Sequence, residues 1–451
     1  MGNAHRPNAN TALRALVDEC GCGYATLARA VNAVAAEAGV DLHYGRPSIA
    51  QWLGGVRPRD PVPVFLAEAL ARRLGRPLVV SDIGMAPEGV CAEPGPPWDL
   101  DPATALAELG STVERRRLVT SGAYSLAAVW GLPDWQDIAA RGTLAATSPG
   151  IRVGASDVEG VRAMTDFLLD LGDVHGSGAV RSTALAFLTG DVAAYLRADA
   201  SERVRRDLHS SAAMLAYTVG WYHWDSELHV GAQRLYTLAL RLAASADDGP
   251  AYAIVLRGMS LQARGLGHSQ TAAHLAEQAH SAAGGIRAQP RHRAFVLAAR
   301  AVAAGGQRDT RAALRHLTAT EHALQLVDNR AGPGTGFHGA ALEHAAALTH
   351  RGLGDPTAAA GAMARSNRAR PDRERHPRAI SGAILAEVLL DLGRLEEACA
   401  TWTGVLDDAE HLRSARLDTA IILMRARLRP HARVPAAAAL LRRATEGHVR
   451  P

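Results

Sequence analysis

The sequence predicts an all-α fold in which a small N-terminal helical domain is joined to a long solenoid of helical hairpins. Three observations lead to this prediction. Apolar residues recur at helical spacing along most of the chain, no stretch shows the apolar–polar alternation of a strand, and similar segments return about every 40 residues. A length of 451 residues corresponds to about three domains. A repeat array explains that length without three separate globular cores.

The amino-acid composition excludes several classes of enzyme. All 49 basic residues are arginine, because the sequence contains no lysine. Walker-type phosphate loops, Schiff-base enzymes and kinase-like active sites each need a lysine. The four cysteines also lack the paired spacing of a zinc site. We therefore expect a protein that is not an enzyme and that carries neither a cofactor nor a metal.

Residues 1–85 predict a domain of four short helices. The first covers 10–18, and the second begins at Tyr24 with apolar residues along one face. The third covers 46–55, with a proline near its first turn and two glycines at its end, and a fourth at 64–74 closes the core. A polar connection joins the second helix to the third. This pattern is typical of a helix-turn-helix DNA-binding domain.

The third helix places Ile49, Trp52 and Leu53 on its inward face, so its polar side chains point outward. In the major groove, arginine reads guanine and glutamine reads adenine, while flanking hydroxyl groups and arginines contact phosphates. The candidate DNA-binding residues are Thr26, Arg29, Arg46, Ser48, Gln51, Arg57 and Arg59. The net charge of +4 permits nucleic-acid binding without requiring it. The alternative is a helical bundle whose exposed arginine and glutamine side chains are simply solvated.

Residues 86–110 predict a semi-rigid linker because they are rich in proline and glycine. Residues 111–154 predict a connecting helical segment. No apolar leader follows the N-terminus, and no apolar run has the length of a membrane span. We expect a cytoplasmic, nucleoid-associated protein that does not contact a membrane.

Residues 155–451 predict a tetratricopeptide-like repeat domain. Its similar segments are 227–243, 267–283, 306–322, 354–367 and 393–409. In most of them a glycine turns the chain, and a small residue then lies on the first helix of a hairpin. These small residues are Ala232, Ala273, Ala313, Ala359 and Ala398. The period exceeds the roughly 34 residues of a standard tetratricopeptide repeat, so the copies are lengthened. A non-repetitive helical bundle is the alternative.

The densest group of aromatic and titratable residues in the repeat domain is a candidate binding site for a ligand or partner. It consists of Trp221, Tyr222, His223, Trp224 and Asp225. Aromatic rings next to polar groups are typical of sites that stack on a ligand or a peptide. The alternative is that these side chains pack between repeats.

Several blocks together resemble a known family: 27–32, 48–53, 115–117, 123–128, 220–225, 232–243 and 259–267. The chain resembles actinobacterial, streptomycete-type transcriptional regulators that join an N-terminal Xre-like helix-turn-helix to a C-terminal tetratricopeptide-like domain. The resemblance implies a homodimer that binds double-stranded DNA sequence-specifically. It also implies that the repeats sense a small molecule, a peptide or a protein, and that the protein controls development or secondary metabolism. The alternative is a protein-interaction scaffold that does not bind DNA, because arginine is spread over the whole chain.

Overall fold

The structure is a computed structural model. It describes residues 9–38, 40–85, 98, 101–106, 109, 124–130, 132–135, 152–283, 290–327 and 336–446. Throughout these residues the regular structure is helical, apart from one isolated bridge between Arg152 and Asp199. The all-α prediction is confirmed. Most of the predicted linker and connecting segment lies outside the described residues. None of the described helices is long and apolar enough to cross a membrane.

The chain divides into two compact units. The first unit comprises Met1–Pro133 and Leu228–Arg234, and the second comprises Asp134–Glu227 and Leu235–Pro451. The domain boundaries that we placed at 85, 110 and 154 from composition stay predictions.

Four helices build the core of the first unit. They are α1 (Thr11–Cys20), α2 (Tyr24–Glu37), α3 (Arg46–Leu53) and α4 (Val62–Leu74). A short helix, α5 (Leu126–Trp130), packs against α4. Leu27, Ile49 and Phe65 are fully buried between the helices. The four predicted helices agree with these ranges to within two residues at each end, because their apolar spacing and their glycine and proline boundaries are local signals.

The second unit begins with three helices: α6 (Ala155–His175), α7 (Ser177–Phe187) and, after a π-helical turn at Leu188–Val192, α8 (Ala193–Leu196). Six helical hairpins follow. They are α9/α10 (Glu202–Asp225, His229–Ser245), α11/α12 (Gly249–Gly265, Ser269–Ala282), α13/α14 (Pro290–Gly306, Thr310–Gln325), α15/α16 (Gly339–Leu353, Pro356–Ala369), α17/α18 (Arg375–Asp391, Leu395–Ala409) and α19/α20 (Ala415–Leu428, Pro435–Glu446). We number them hairpins 1 to 6. The residues of α10 up to Arg234 belong to the first unit. Neighbouring hairpins pack on one another, which confirms the predicted helical array.

A residue in the left-handed conformation ends the first helix in each of hairpins 1 to 5. These residues are Glu227, Gly267, Arg308, Gly354 and Gly393. Behind Arg308, for example, the amide of Asp309 donates to the carbonyl of Ala304 at 3.0 Å, which satisfies a carbonyl group of the last helical turn. The expectation that Gly306 turns the chain was wrong, because Gly306 still belongs to α13 and Arg308 makes the turn.

A buried alanine stands at the fourth position of the second helix in hairpins 1 to 5. These alanines are Ala232, Ala272, Ala313, Ala359 and Ala398, and none is more than 1% exposed. Two details of the prediction were therefore wrong. The small residue lies on the second helix of each hairpin, and in hairpin 2 it is Ala272, whereas Ala273 is half-buried. Spacing alone did not distinguish two adjacent alanines, because burial depends on which one faces the neighbouring helix.

The two ends of the helical array in the second unit are in contact. Helix α6 packs against both α9 and α17. The amide of Arg413 donates to the carbonyl of His175 at 2.9 Å, and the amide of Gly178 donates to the carbonyl of Arg413 at 2.8 Å. Gly176 has a φ of +82°, and a Cβ atom there would lie 2.6 Å from the carbonyl oxygen of Arg413. The close backbone contact with Arg413 therefore requires glycine at position 176.

Candidate functional site

The connection between α2 and α3 is fixed by one asparagine of α2. The side-chain oxygen of Asn32 accepts from the amide of Tyr44 at 3.0 Å, and its nitrogen donates to the carbonyl of Tyr44 at the same distance. The Tyr44 ring then packs edge-on against the Trp52 indole, with centroids 5.0 Å apart. Because Trp52 is buried, these contacts set the position of α3 against α2.

Helix α3 has one buried face and one exposed face. Ile49, Trp52 and Leu53 are buried, as predicted. The opposite face is an exposed stripe, and Ser48 is half-buried beside it. The exposed residues are Arg46, Pro47, Ala50 and Gln51. Arg46 and Gln51 are thus on the surface, where the prediction placed them.

The other predicted DNA contacts differ in how far their side chains are already engaged. Arg29 is exposed, and its guanidinium donates to the hydroxyl of half-buried Thr26 at 3.3 Å. Arg59 is exposed as well. Arg57, by contrast, donates to the carbonyl of Met85 at 2.9 Å and to the carboxylate of Asp60 at 3.1 Å. Arg57 is exposed too, but these bonds hold its guanidinium against residues of the same unit.

The surface formed by α2, α3 and the following loop has a local excess of positive charge. Between residues 24 and 59 the acidic residues are Glu37 and Asp41, against four arginines. Glu37 is bound to Arg72 of α4, through oxygen–nitrogen distances of 2.6 and 2.7 Å. Within the described part of the chain, no carboxylate pairs with Arg29, Arg46 or Arg59. The net charge of residues 1–85 does not reveal this excess, because the other acidic residues of that range lie outside residues 24–59.

The predicted aromatic group lies in the last turns of α9 and points in two directions. Tyr222 is buried, and its hydroxyl donates to the carbonyl of Leu168 in α6 at 2.7 Å. His223 lies with Nδ1 2.8 Å from the carbonyl oxygen of Val219. Burial, and to a smaller extent the charge of Arg181, lower the pKa of His223 to about 4. The polar atoms of Tyr222 and His223 thus already have backbone partners within the unit.

The remaining three members lie together with residues from other hairpins. The Trp221 and Trp224 rings meet edge-on, with centroids 4.7 Å apart. The guanidinium carbon of Arg416, from hairpin 6, lies 4.9 Å from the Trp224 ring centroid. Asp225 is completely buried next to them. Cation–π contact and burial give this region a fixed arrangement of rings and charges.

Asp225 joins hairpin 1 to hairpins 5 and 6. Its carboxylate lies 3.1 Å from Nε2 of His376 and 3.4 Å from Nε of Arg416. Nε2 of His376 also lies 3.3 Å from the hydroxyl of Ser414. Burial alone would raise the pKa of Asp225, but the charges of His376 and Arg416 hold it well below its usual range. Sequence reasoning missed these partners, which stand far along the chain and carry no local motif.

Arg257 was also missed, although it lies at the centre of this region. Its guanidinium carbon is 3.6 Å from the centroid of the Phe295 ring and 6.0 Å from that of Trp221. It donates to the hydroxyl of Tyr217 at 3.3 Å. The available signal was an arginine within the otherwise apolar helix 251–259. Guanidinium donors and aromatic faces are suited to binding oxyanions and planar groups.

Comparison with known proteins identifies one part of the chain. The family model of the SP15 N-terminal domain matches residues 13–86. These residues include helices α2, α3 and α4 and most of α1. No curated protein matches the chain. The name of the matching family states no activity.

Proposed function

We propose that this protein is a sequence-specific DNA-binding transcriptional regulator whose repeat domain senses a small molecule, a peptide or a protein partner. The observation that carries the proposal is the surface of α2 and α3. Arg29, Arg46 and Arg59 are exposed there without a carboxylate partner in the described part of the chain. Arginines left unpaired on one surface are suited to phosphate and base contacts.

The geometry of α3 supports the same proposal. Its buried face is fixed on α2 by Asn32 and Trp52, and its outer face presents Arg46 and Gln51. A helix held rigidly with polar side chains outward is the arrangement by which helix-turn-helix domains read base edges in the major groove. The proposal includes a homodimer, a cytoplasmic, nucleoid-associated location and control of development or secondary metabolism, as the resemblance to the actinobacterial regulators implies.

The test is a gel-shift and fluorescence-anisotropy series with the full chain against upstream regions of its own genome. Replacing Arg46 or Gln51 by Ala should weaken specific binding by about 1–3 kcal/mol each if they read bases. Replacing Arg29 or Arg59 by Ala should weaken binding to all sequences and reduce the salt slope by about 1. Arg14→Ala is the matched control, because Arg14 is exposed on α1 and forms no ion pair with any described residue.

Absence of salt-sensitive, sequence-selective binding, with and without cell extract, would contradict the proposal. A pull-down that then returned one stoichiometric protein partner would favour the scaffold. Equal effects of Arg14→Ala and Arg46→Ala would reject the assignment of this surface while leaving DNA binding in place. Light scattering of the purified chain tests the homodimer separately.

A further inference from the structure

Several arginines of the second unit come from three different hairpins. Arg257 and Arg264 are both on α11, seven residues apart, so they lie on the same side of that helix two turns from one another. Arg370 follows the last residue of α16, and Arg416 is in the first turn of α19. All four side chains are partly screened from solvent.

These arginines act on one common neighbour, His344 of α15. Burial is the main cause that lowers the pKa of His344, to about 3, and the charges of the four arginines lower it further. Nδ1 of His344 lies 2.8 Å from the hydroxyl of Ser381. The distances place two of these arginines at one pair of rings: the guanidinium carbon of Arg257 lies 6.0 Å from the Trp221 centroid, that of Arg416 lies 4.9 Å from the Trp224 centroid, and the two rings are 4.7 Å apart.

Carboxylates neutralise two of the four arginines. Arg370 binds Glu374 at 2.8 Å, and Arg416 lies 3.4 Å from Asp225. Within the described part of the chain, no carboxylate lies within 4 Å of the guanidinium of Arg257 or Arg264. Arg257 donates to the Tyr217 hydroxyl instead. The Nε atoms of Arg257 and Arg264 are buried, and neither has a hydrogen-bond partner among the residues that the structure describes.

Two positive charges that are shielded from water and have no counter-charge are an unusual arrangement. A guanidinium taken out of water is unfavourable unless an anion and hydrogen-bond acceptors replace the water. Burial, and next the charges of Arg351 and Arg416, lower the pKa of Arg264 to about 10. Even so, the group is charged at neutral pH. These side chains therefore lack a negatively charged hydrogen-bond acceptor.

We propose that Arg257 and Arg264 form a binding site for an oxyanion, the carboxylate or phosphate group of a small organic ligand. The surroundings of Arg257 show how such a group would be held. Phe295 stacks on the face of the guanidinium, the Trp221 ring centroid lies 6.0 Å from the guanidinium carbon, and both rings are half-buried. Stacking occupies the face of a guanidinium and leaves its in-plane N–H donors available, which are the donors that bind an oxyanion in a bidentate manner.

This assignment names the chemical class of the effector in the proposed function, and its regulatory meaning rests on that function. The binding site itself does not. Oxyanion binding is measured on the full chain without DNA, so a failure of DNA binding and a failure of oxyanion binding are separate results.

The experiment is a calorimetric and thermal-shift titration of the full chain at constant ionic strength. The probes are phenyl phosphate, benzoate and inorganic phosphate, with benzyl alcohol as the neutral control. We expect the oxyanions to bind and to raise the melting temperature, and benzyl alcohol to do neither. Phenyl phosphate binding more tightly than benzoate would assign a phosphate group, and the reverse order would assign a carboxylate.

Arg257→Gln and Arg264→Gln should each weaken the binding of the preferred probe about ten- to hundredfold, because each removes charged hydrogen-bond donors. Arg311→Gln is the matched control, since Arg311 is an exposed arginine of α14. This variant should bind the preferred probe with the affinity of the wild type. Circular dichroism shows whether each variant is folded. Wild-type protein that binds no oxyanion more tightly than benzyl alcohol would overturn the site, whatever the variants do. Folded variants with wild-type affinity would overturn it as well.

Discussion

Two arginines, one in each unit, are both shielded from solvent but differ in whether a carboxylate neutralises their charge. In the first unit, Arg72 of α4 donates to Glu37 at 2.6 and 2.7 Å and to Glu68 at 2.9 Å. Burial opposes its charge, yet the hydrogen bonds and charges of the two carboxylates raise the pKa of Arg72. In the second unit, Arg264 has no carboxylate near it in the described residues, and its pKa is lowered to about 10.

The difference separates an arginine that supports the structure from one that is available for binding. Arg72 connects α2 and α4, so its charge is used inside the unit to fix two helices. Arg264 stands on the first helix of a hairpin, and no described interaction uses its charge. Removing one partner of a buried ion pair destabilises the fold, because the other charge is left buried and unpaired. Removing a buried charge that has no partner, or binding a ligand of opposite charge to it, stabilises the fold. Substitutions on either side of this contrast should therefore change stability in opposite directions.

The largest effect is expected at Arg72. Arg72→Gln leaves Glu37 and buried Glu68 without their cation, and should destabilise the first unit by about 3–5 kcal/mol. Hydrogen exchange of peptides from α2 and α4, measured in the full chain, reports this change. Arg76→Gln is the control, because Arg76 forms an exposed pair with Glu19, and it should leave the exchange unchanged. An Arg72 variant that exchanges like the wild type would remove the contrast between the units.

The second effect is a pH dependence at Asp173 of α6. Burial, and to a smaller extent the charges of Glu374 and Asp170, raise the pKa of Asp173 to about 6. The folded protein therefore holds this proton more tightly than the unfolded chain. Stability from the protonated form is complete below about pH 4 and is lost as the pH rises through 6.

Asp173→Asn should consequently stabilise the second unit by about 2 kcal/mol at pH 7.5 and change nothing at pH 4. Urea unfolding at the two pH values measures this difference. Asp170→Asn, at an exposed position of the same helix, should change the pH dependence much less. Equal effects of Asp173→Asn at both pH values would show that Asp173 titrates normally.

A smaller effect of opposite sign to that at Arg72 is expected at Arg264. Because Arg264 is half-buried, solvent reduces the penalty on its charge, and Arg264→Gln should stabilise the ligand-free second unit by about 1 kcal/mol. The melting temperature of the full chain without added oxyanion measures it. Destabilisation comparable to that of Arg72→Gln would mean that Arg264 is structural after all.

The smallest effect concerns the helix ends. The first unit ends α1 and α4 with left-handed glycines, Gly21 and Gly75, whereas hairpin 3 uses Arg308 with a φ of 60°. Arg308→Gly should stabilise hairpin 3 by about 0.5 kcal/mol, because glycine adopts this conformation without strain. Gly393→Ala, where a Cβ would meet no atom within 4 Å, should cost about 1 kcal/mol through backbone strain alone. Chemical unfolding of both variants in parallel tests the pair, and shifts of the same sign would contradict it.

Local signals were enough to predict the helices. The ranges of α1 to α4 follow from apolar spacing with glycine and proline at the ends, and the inward face of α3 was predicted residue by residue. Arg46 and Gln51 were placed on the surface for the same reason. The one-residue error at Ala273 marks the limit of such signals, since the choice between Ala272 and Ala273 depends on the partner helix.

The candidate sites were predictable in part. The five adjacent residues 221–225 look like one group in the sequence, but a helix rotates by about 100° per residue. Tyr222 therefore bonds to α6, while Trp221 and Trp224 contact each other. Arg257, His376 and Arg416 were not predicted. They meet this group because separate hairpins bring them together, and no spacing along the chain records such a contact.

Helical class, approximate repeat length and the exposed face of α3 were thus determined by the sequence itself, because each depends on neighbours within about four residues along the chain. Which arginines are neutralised was settled by folding, because a carboxylate partner is defined by distance in space. Arg72 and Arg264 have the same side chain, and each lies on a helix. Arg72 meets Glu37 across the interface with α2 and Glu68 one turn away on its own helix, whereas Arg264 is exposed to the positive charges of Arg351 and Arg416 from two other hairpins.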